Sequence, residues 1–113
     1  MNWHTLNSVN QLNQIDQDSQ NTPVMLLKHS TRCSISSAAL SRLERNWQDS
    51  DNQKLQPYYL DLLQHRDISN AIATHYGIEH QSPQVLVIKG GKCVYSATHF
   101  DINYKDILTQ ANK

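Results

Sequence analysis

The chain has 113 residues, with ten basic and ten acidic side chains that cancel. That balance offers no basic patch or stripe for nucleic acid, and no apolar run approaches the roughly 18 residues of a membrane span. The two cysteines, Cys33 and Cys93, are too few for a four-ligand structural zinc site. Of the histidines, only His75 and His80 fall at a finger-like spacing, and no C-x2-C pair accompanies them. No metal and no bound cofactor are therefore expected. The length fits one domain, residues 1–113, with a core of its own. Met1-Asn2-Trp3-His4 lacks the basic and apolar regions of a signal peptide, so the expected compartment is the cytoplasm. There the two thiols are not expected to form a structural disulfide. The chain is expected to be a monomer.

Trp3 to Leu6 reads as a short edge strand. Ser8-Val9-Asn10-Gln11 fits a capping box, and Val9, Leu12 and Ile15 mark a helix over about residues 8–18. Pro23 to Lys28 is an apolar run opened by proline, as in a strand buried on both faces. From Ser34 to Trp47, the residues Ile35, Ala39, Leu43 and Trp47 recur every four positions with Ala38 beside them, a helix laying one stripe on a sheet. The polar stretch Gln48 to Lys54 reads as a helix end plus loop. Pro57 to Leu63 is a second apolar strand. Asp67 is placed to cap the next helix, whose stripe is Ile68, Ala71, Ile72 and His75, and Gly77 stands where a left-handed terminator belongs. Gln84 to Ile88 and Cys93 to Ser96 flank Lys89-Gly90-Gly91-Lys92, a hairpin signal. Asp101 or Asn103 can cap a last helix with Tyr104, Ile107, Leu108 and Ala111 inward.

Strands alternating with helices imply parallel crossovers, and the final hairpin adds an antiparallel edge. The predicted class is α/β. With a cysteine directly after a central strand, the layout resembles the thioredoxin-like fold: a three-layer α/β/α sandwich with a mixed central sheet and a C-terminal β-hairpin plus helix.

Chemistry concentrates in Lys28-His29-Ser30-Thr31-Arg32-Cys33-Ser34-Ile35-Ser36. A thiol attacks as thiolate, and a helix start offers unpaired N–H groups and a positive dipole end to an anion. Cys33 stands there, with Arg32 and Lys28 nearby in sequence and Ser34 and Ser36 as hydroxyl donors. Cys33-Ser34-Ile35-Ser36 is C-x-x-S. Ser36 cannot close a disulfide, so the expected chemistry uses one thiol, with a small thiol taken from a mixed disulfide onto Cys33 and then removed by a second thiol.

His29-Ser30-Thr31-Arg32-Cys33-Ser34-Ile35-Ser36-Ser37, Glu79-His80-Gln81-Ser82-Pro83-Gln84-Val85-Leu86 and Ser96-Ala97-Thr98-His99-Phe100 together resemble the monothiol bacilliredoxin (YtxJ-like) family of the bacillithiol stress system. The resemblance implies that Cys33 removes bacillithiol from S-bacillithiolated proteins. Bacillithiol, or another low-molecular-weight thiol, would be the co-substrate, and client proteins carrying mixed disulfides the partners. It implies a cis Ser82–Pro83 bond facing Cys33, with the backbone before Pro83 pairing with bound peptide, and a groove shaped by Thr31, Arg32, Ser34, Ser36, Ser82 and Pro83. The family often has proline after the cysteine; here Ser34 leaves an extra N–H at the helix start.

Several residues carry two readings. Cys33 is a nucleophile or an inert packed thiol. Cys93 is a strand residue or, if near enough to Cys33, a resolving thiol. His29 tunes Cys33 or covers the sheet end. His99 and Phe100 line the groove or form an ordinary loop. For the whole chain, the alternatives to an enzyme are a peptide-binding module that does not turn over and a thiol redox sensor.

Overall fold

The central strands follow from composition. Val24-Met25-Leu26-Leu27 and Val85-Leu86-Val87-Ile88 are apolar at every position, so each buries both of its faces. The computed structural model describes residues 1–113. The strands are β1 (His4–Thr5), β2 (Val24–His29), β3 (Gln56–Asp61), β4 (Gln84–Lys89) and β5 (Lys92–Thr98). The helices are α1 (Gln11–Asp18), α2 (Ser34–Asn46), α3 (Asp51–Lys54), α4 (Arg66–Tyr76) and α5 (Tyr104–Ala111), with a 3-10 turn at His99–Asp101. One five-stranded sheet has the order β1-β3-β2-β4-β5.

Alternation along the strands divides the core into two layers. Met25, Leu27, Val85 and Val87 point to α2 and α5, meeting Ala39, Leu43, Ile107 and Ala111. Val24, Leu26, Leu86 and Ile88 point to α1 and α4, meeting Leu12, Ile15, Ile68 and Ile72. The product is the expected α/β/α sandwich with a mixed sheet.

The crossover expectation holds for β1, β3 and β2, which are mutually parallel. It fails for β4, which runs antiparallel to β2. After α4 the connection 77–83 carries the chain to the end of the sheet where β2 finishes, so β4 enters from that end. Gly90 and Gly91 both have positive φ, 61° and 76°, as a type I′ hairpin turn requires. The hairpin tip is hooked to the end of α1, where Ser19 accepts from the N–H of Gly90 on its carbonyl and of Gly91 on its hydroxyl.

Several local expectations shift. The first helix starts at Gln11, and Val9 is exposed, because residues 8–10 form a turn. Gln11 still reaches back, its Oε1 accepting from the N–H of Ser8 at 2.9 Å. Asp67 lies in the first turn of α4, and the cap position belongs to His65. His75 turns outward to Asp16, its Nε2 2.6 Å from Oδ2, and Ser69 takes a buried place in the stripe. On α2, Ala38 is exposed and Ser36 is buried. The 48–54 stretch contains α3, tied down by buried Asp51, which accepts from Tyr104 Oη at 2.6 Å. Gly77 ends α4 at φ 68° as expected, and Asn103, rather than Asp101, caps α5 by accepting from the Asp106 N–H.

Candidate active site

The β2 strand ends at His29 and α2 begins at Ser34, leaving four residues to turn the corner. The Cys33 N–H donates to Ser30 O at 3.1 Å, which closes a tight turn with exposed Thr31 and Arg32 at its tip. Cys33 then takes the N-cap position in an extended conformation, and its carbonyl accepts the first helical bond from the Ser37 N–H. A cap side chain ordinarily accepts from the first-turn N–H groups. Cys33 makes no such bond, so those donors are free to meet a sulfur anion or a bound mixed disulfide. Ser34 is exposed at the first helical position.

Ser36, one turn on, is fully buried. Its Oγ accepts from the Ser30 N–H at 3.0 Å and lies 2.6 Å from His29 Nδ1. The hydroxyl thus staples the end of β2 to the start of α2, and makes no bond to Cys33 Sγ. His29 is itself buried and stacks near Tyr59 at 5.6 Å. Burial pushes its imidazole below the usual histidine range, partly offset by the carboxylate of Asp61. At neutral pH it is an uncharged ring committed to Ser36.

Lys28 does not join this group. Strand alternation sends its side chain to the α4 layer, on the other face of the sheet from α2. The charge counted beside Cys33 in the linear sequence is reduced to exposed Arg32.

The opposite wall comes from the chain's return. The Ser82–Pro83 bond is cis. The β2–β4 register pairs Lys28 with Gln84, so one step further Pro83 comes level with His29, at the sheet end from which Cys33 departs. Pro83 O accepts from the His99 N–H at 3.1 Å, and His99 adopts φ 51°. The His99–Asp101 turn packs on α2, and Phe100 is 75% exposed beside it. Ser82 Oγ is buried without a partner. The fold therefore gathers His29, Thr31, Arg32, Cys33, Ser34, Ser36, Ser82, Pro83 and His99 at one end of the sheet.

Cys93 lies elsewhere. It pairs with Ile88 beside the hairpin, and Ile88 pairs with Val24, the first residue of β2. From Val24 to His29 the strand spans roughly 16 Å at about 3.3 Å per residue. Cys93 also packs on the α1/α4 layer, whereas Cys33 heads α2. Disulfide geometry, which needs Cα atoms within about 7 Å, is out of reach. The largest surface cavity, about 650 Å³, runs along the free edge of β5 and does not include Cys33.

Two clusters escaped the linear reading. Gln84 holds the loop before Pro83, its Nε2 donating to Glu79 O at 3.0 Å. Lys28 holds His80 at 3.2 Å. A lysine inside the apolar run Met25-Leu26-Leu27-Lys28 was the visible signal for the second.

Comparison with known proteins agrees with this architecture. A solved structure described as an oxidoreductase with a thioredoxin fold is 32% identical, with a TM-score of 0.80 over 98% of this chain and 94% of that one. Thioredoxin from Fasciola hepatica is 14% identical, with a TM-score of 0.71 over 96% of each chain. Spinach chloroplast thioredoxin f is 14% identical, with a TM-score of 0.73 over 98% of this chain and 87% of that one. At that identity the last two speak to the fold alone. Residues 4–107 match the family described as monothiol bacilliredoxin BrxC. The chain belongs to that family, a group of thiol redox proteins here built on the thioredoxin fold.

Proposed function

We propose that the protein is a monothiol–disulfide oxidoreductase that removes bacillithiol from S-bacillithiolated client proteins through Cys33. The observation that carries this reading is the isolation of Cys33 at the head of a 13-residue helix, with Ser36 where a second thiol would stand and Cys93 at the far end of the sheet.

The Cys33 thiolate attacks the bacillithiol sulfur of the client's mixed disulfide. A Cys33–bacillithiol disulfide forms, the client sulfur–sulfur bond breaks, and the client leaves as thiolate and takes up a proton. A second low-molecular-weight thiol, as thiolate, then attacks the sulfur bound to Cys33. This yields a small-molecule disulfide and restores Cys33. The first-turn N–H groups of α2 lie at Cys33 and favour its thiolate, the attacking form in the first step and the leaving group in the second. Exposed Arg32 attracts the malate carboxylates of bacillithiol by charge alone. The backbone at Ser82, at the sheet end from which Cys33 departs, pairs with the client segment. Clients and small thiol are the only partners this chemistry needs.

The test is release of bacillithiol from a protein carrying a defined mixed disulfide. The unmutated protein and Cys93→Ser should release it, and Cys33→Ser should lose the reaction by about a thousandfold or more, as removal of a covalent nucleophile does. Loss of activity in Cys93→Ser, or its retention in Cys33→Ser, would overturn the assignment. Client binding without any thiol transfer by the unmutated protein would favour a peptide-binding module.

A further inference from the structure

Buried lysines usually face a carboxylate. Lys28 is fully buried and has none within ion-pair distance. Its ammonium donates to two neutral acceptors, Ser69 O on α4 at 3.3 Å and His80 Nδ1 at 3.2 Å. The Ser69 hydroxyl lies 3.0 Å from the same nitrogen. Burial pushes the Lys28 amine down to about 8, so near neutral pH it still carries its proton. An ammonium only donates, and the contact therefore requires an unprotonated Nδ1. His80 is the neutral Nε2–H tautomer. Burial, with the cations of Lys28 on β2 and Arg66 on α4, holds it below the ordinary histidine range.

His80 stands two residues before Ser82, in the loop that leads to Pro83. Gln84 grips the same loop, with Nε2 on Glu79 O at 3.0 Å and Oε1 accepting from the Gln81 N–H at 3.4 Å. Lys28 and Gln84 are cross-strand partners. One rung of the sheet thus supplies both grips on the segment before the cis bond.

We propose that Lys28 and His80 are positioning residues of the thiol site, the buried ammonium gripping the neutral imidazole and thereby fixing the loop that presents the Ser82–Pro83 wall. Neither touches the reacting sulfur. The link to activity rests on the function proposed above; the clamp itself concerns only residues 78–84 and their supports. Protonating His80 sets two cations against each other with no carboxylate within ion-pair distance of either. The grip fails, the wall loosens, and binding of a protein substrate weakens while attack on small reagents continues.

Two measurements test this. In the first, NMR follows the His80 ring and the Gln81 and Ser82 amides through the histidine titration range. The amides should move with His80's own midpoint, and in Lys28→Met that midpoint should rise and the coupled movement shrink. Amides that stay still while His80 titrates would overturn the clamp, whatever the activity. In the second, KM for a protein mixed disulfide is measured over the same range. It should rise on the acid side in the unmutated protein. It should stay low and flat in His80→Asn, whose Oδ1 replaces Nδ1 and cannot titrate. In His80→Leu it should be about tenfold higher throughout, the equilibrium change that one hydrogen bond to a charged group carries, with kcat and the Cys33 alkylation rate unchanged. Identical KM profiles for the unmutated protein and His80→Asn would overturn the proposal. An unmutated protein with no thiol transfer would defeat the proposed function and leave the amide titration to decide the clamp.

Discussion

Cys33 and Cys93 are both free and both half-buried, yet the fold treats them as opposites. Cys33 caps a helix, sulfur unbonded, beside open turn residues. Cys93 is fixed in a strand ladder, donates to Tyr95 O at 3.3 Å and packs against the α1/α4 core. Burial pushes its thiol above the ordinary cysteine range. Fractional exposure does not separate the two; the element each belongs to does. A helix start presents donors to an anion, whereas an edge-strand ladder with a core behind it favours the protonated, neutral form.

The largest expected effect is therefore in reactivity. At neutral pH a small alkylating agent should label Cys33 about a hundredfold faster than Cys93, since burial pushes the Cys93 thiol up and its sulfur is tied to Tyr95 O, whereas the Cys33 sulfur is unbonded. Peptide mapping by mass spectrometry reads the ratio, and comparable labelling would erase the contrast. The pH dependence has a definite sign. A thiol whose pKa is raised by folding adds stability that is whole below the unfolded cysteine's pKa and is lost as pH climbs through the raised value. Denaturation of Cys93→Ala against the unmutated protein should show the variant spared that alkaline decline.

A smaller effect tests what holds Cys33 in place. Ser36→Ala leaves the Ser30 N–H and His29 Nδ1 without their shared partner in a buried setting. The variant should lose about 1–3 kcal/mol in urea denaturation. A neutral result would mean that the staple between β2 and α2 is dispensable. The smallest effect concerns Ser34. Its position is the first of the helix, where the N–H has no helical acceptor and proline is well accommodated. Ser34→Pro should gain about 0.4–1 kcal/mol, visible as a modest rise in Tm. A loss would show that the exposed N–H or hydroxyl of Ser34 stabilises the turn.

Much of this contrast could be read from the linear chain, because it follows from periodicity. The apolar runs at 24–28 and 84–88 and the four-residue repeat of Ile35, Ala39 and Leu43 fix the strands and α2, and thus the junction at Cys33. The glycine pair reveals the hairpin that carries Cys93. Direction was harder. Nothing local to residues 84–89 says that β4 enters from the end where β2 leaves; that depends on the path of 77–83 in three dimensions. Faces were harder still. Lys28 is five residues from Cys33, and only the parity of the strand sends it to α4. Ser36 offers the same hydroxyl in any orientation, and its commitment to His29 and Ser30 emerges only when strand end and helix start are packed together. The Asp67 expectation failed for a related reason. Helix starts are set by where the chain leaves the preceding turn, and here the hydrogen bonds of 64 and 65 to Asp61 place that point at His65.

β2 is buried along its whole length, paired on both sides, and flanked by two separate apolar layers. Such a strand belongs to the last unit of a protein to open, with amide hydrogens that exchange only through global unfolding. The reactive turn hangs directly from its end. Partial fraying at β1, at α1 or at the hairpin tip would leave that attachment in place. Under heat or denaturant the thiol site should therefore disappear together with the whole fold, in one cooperative event.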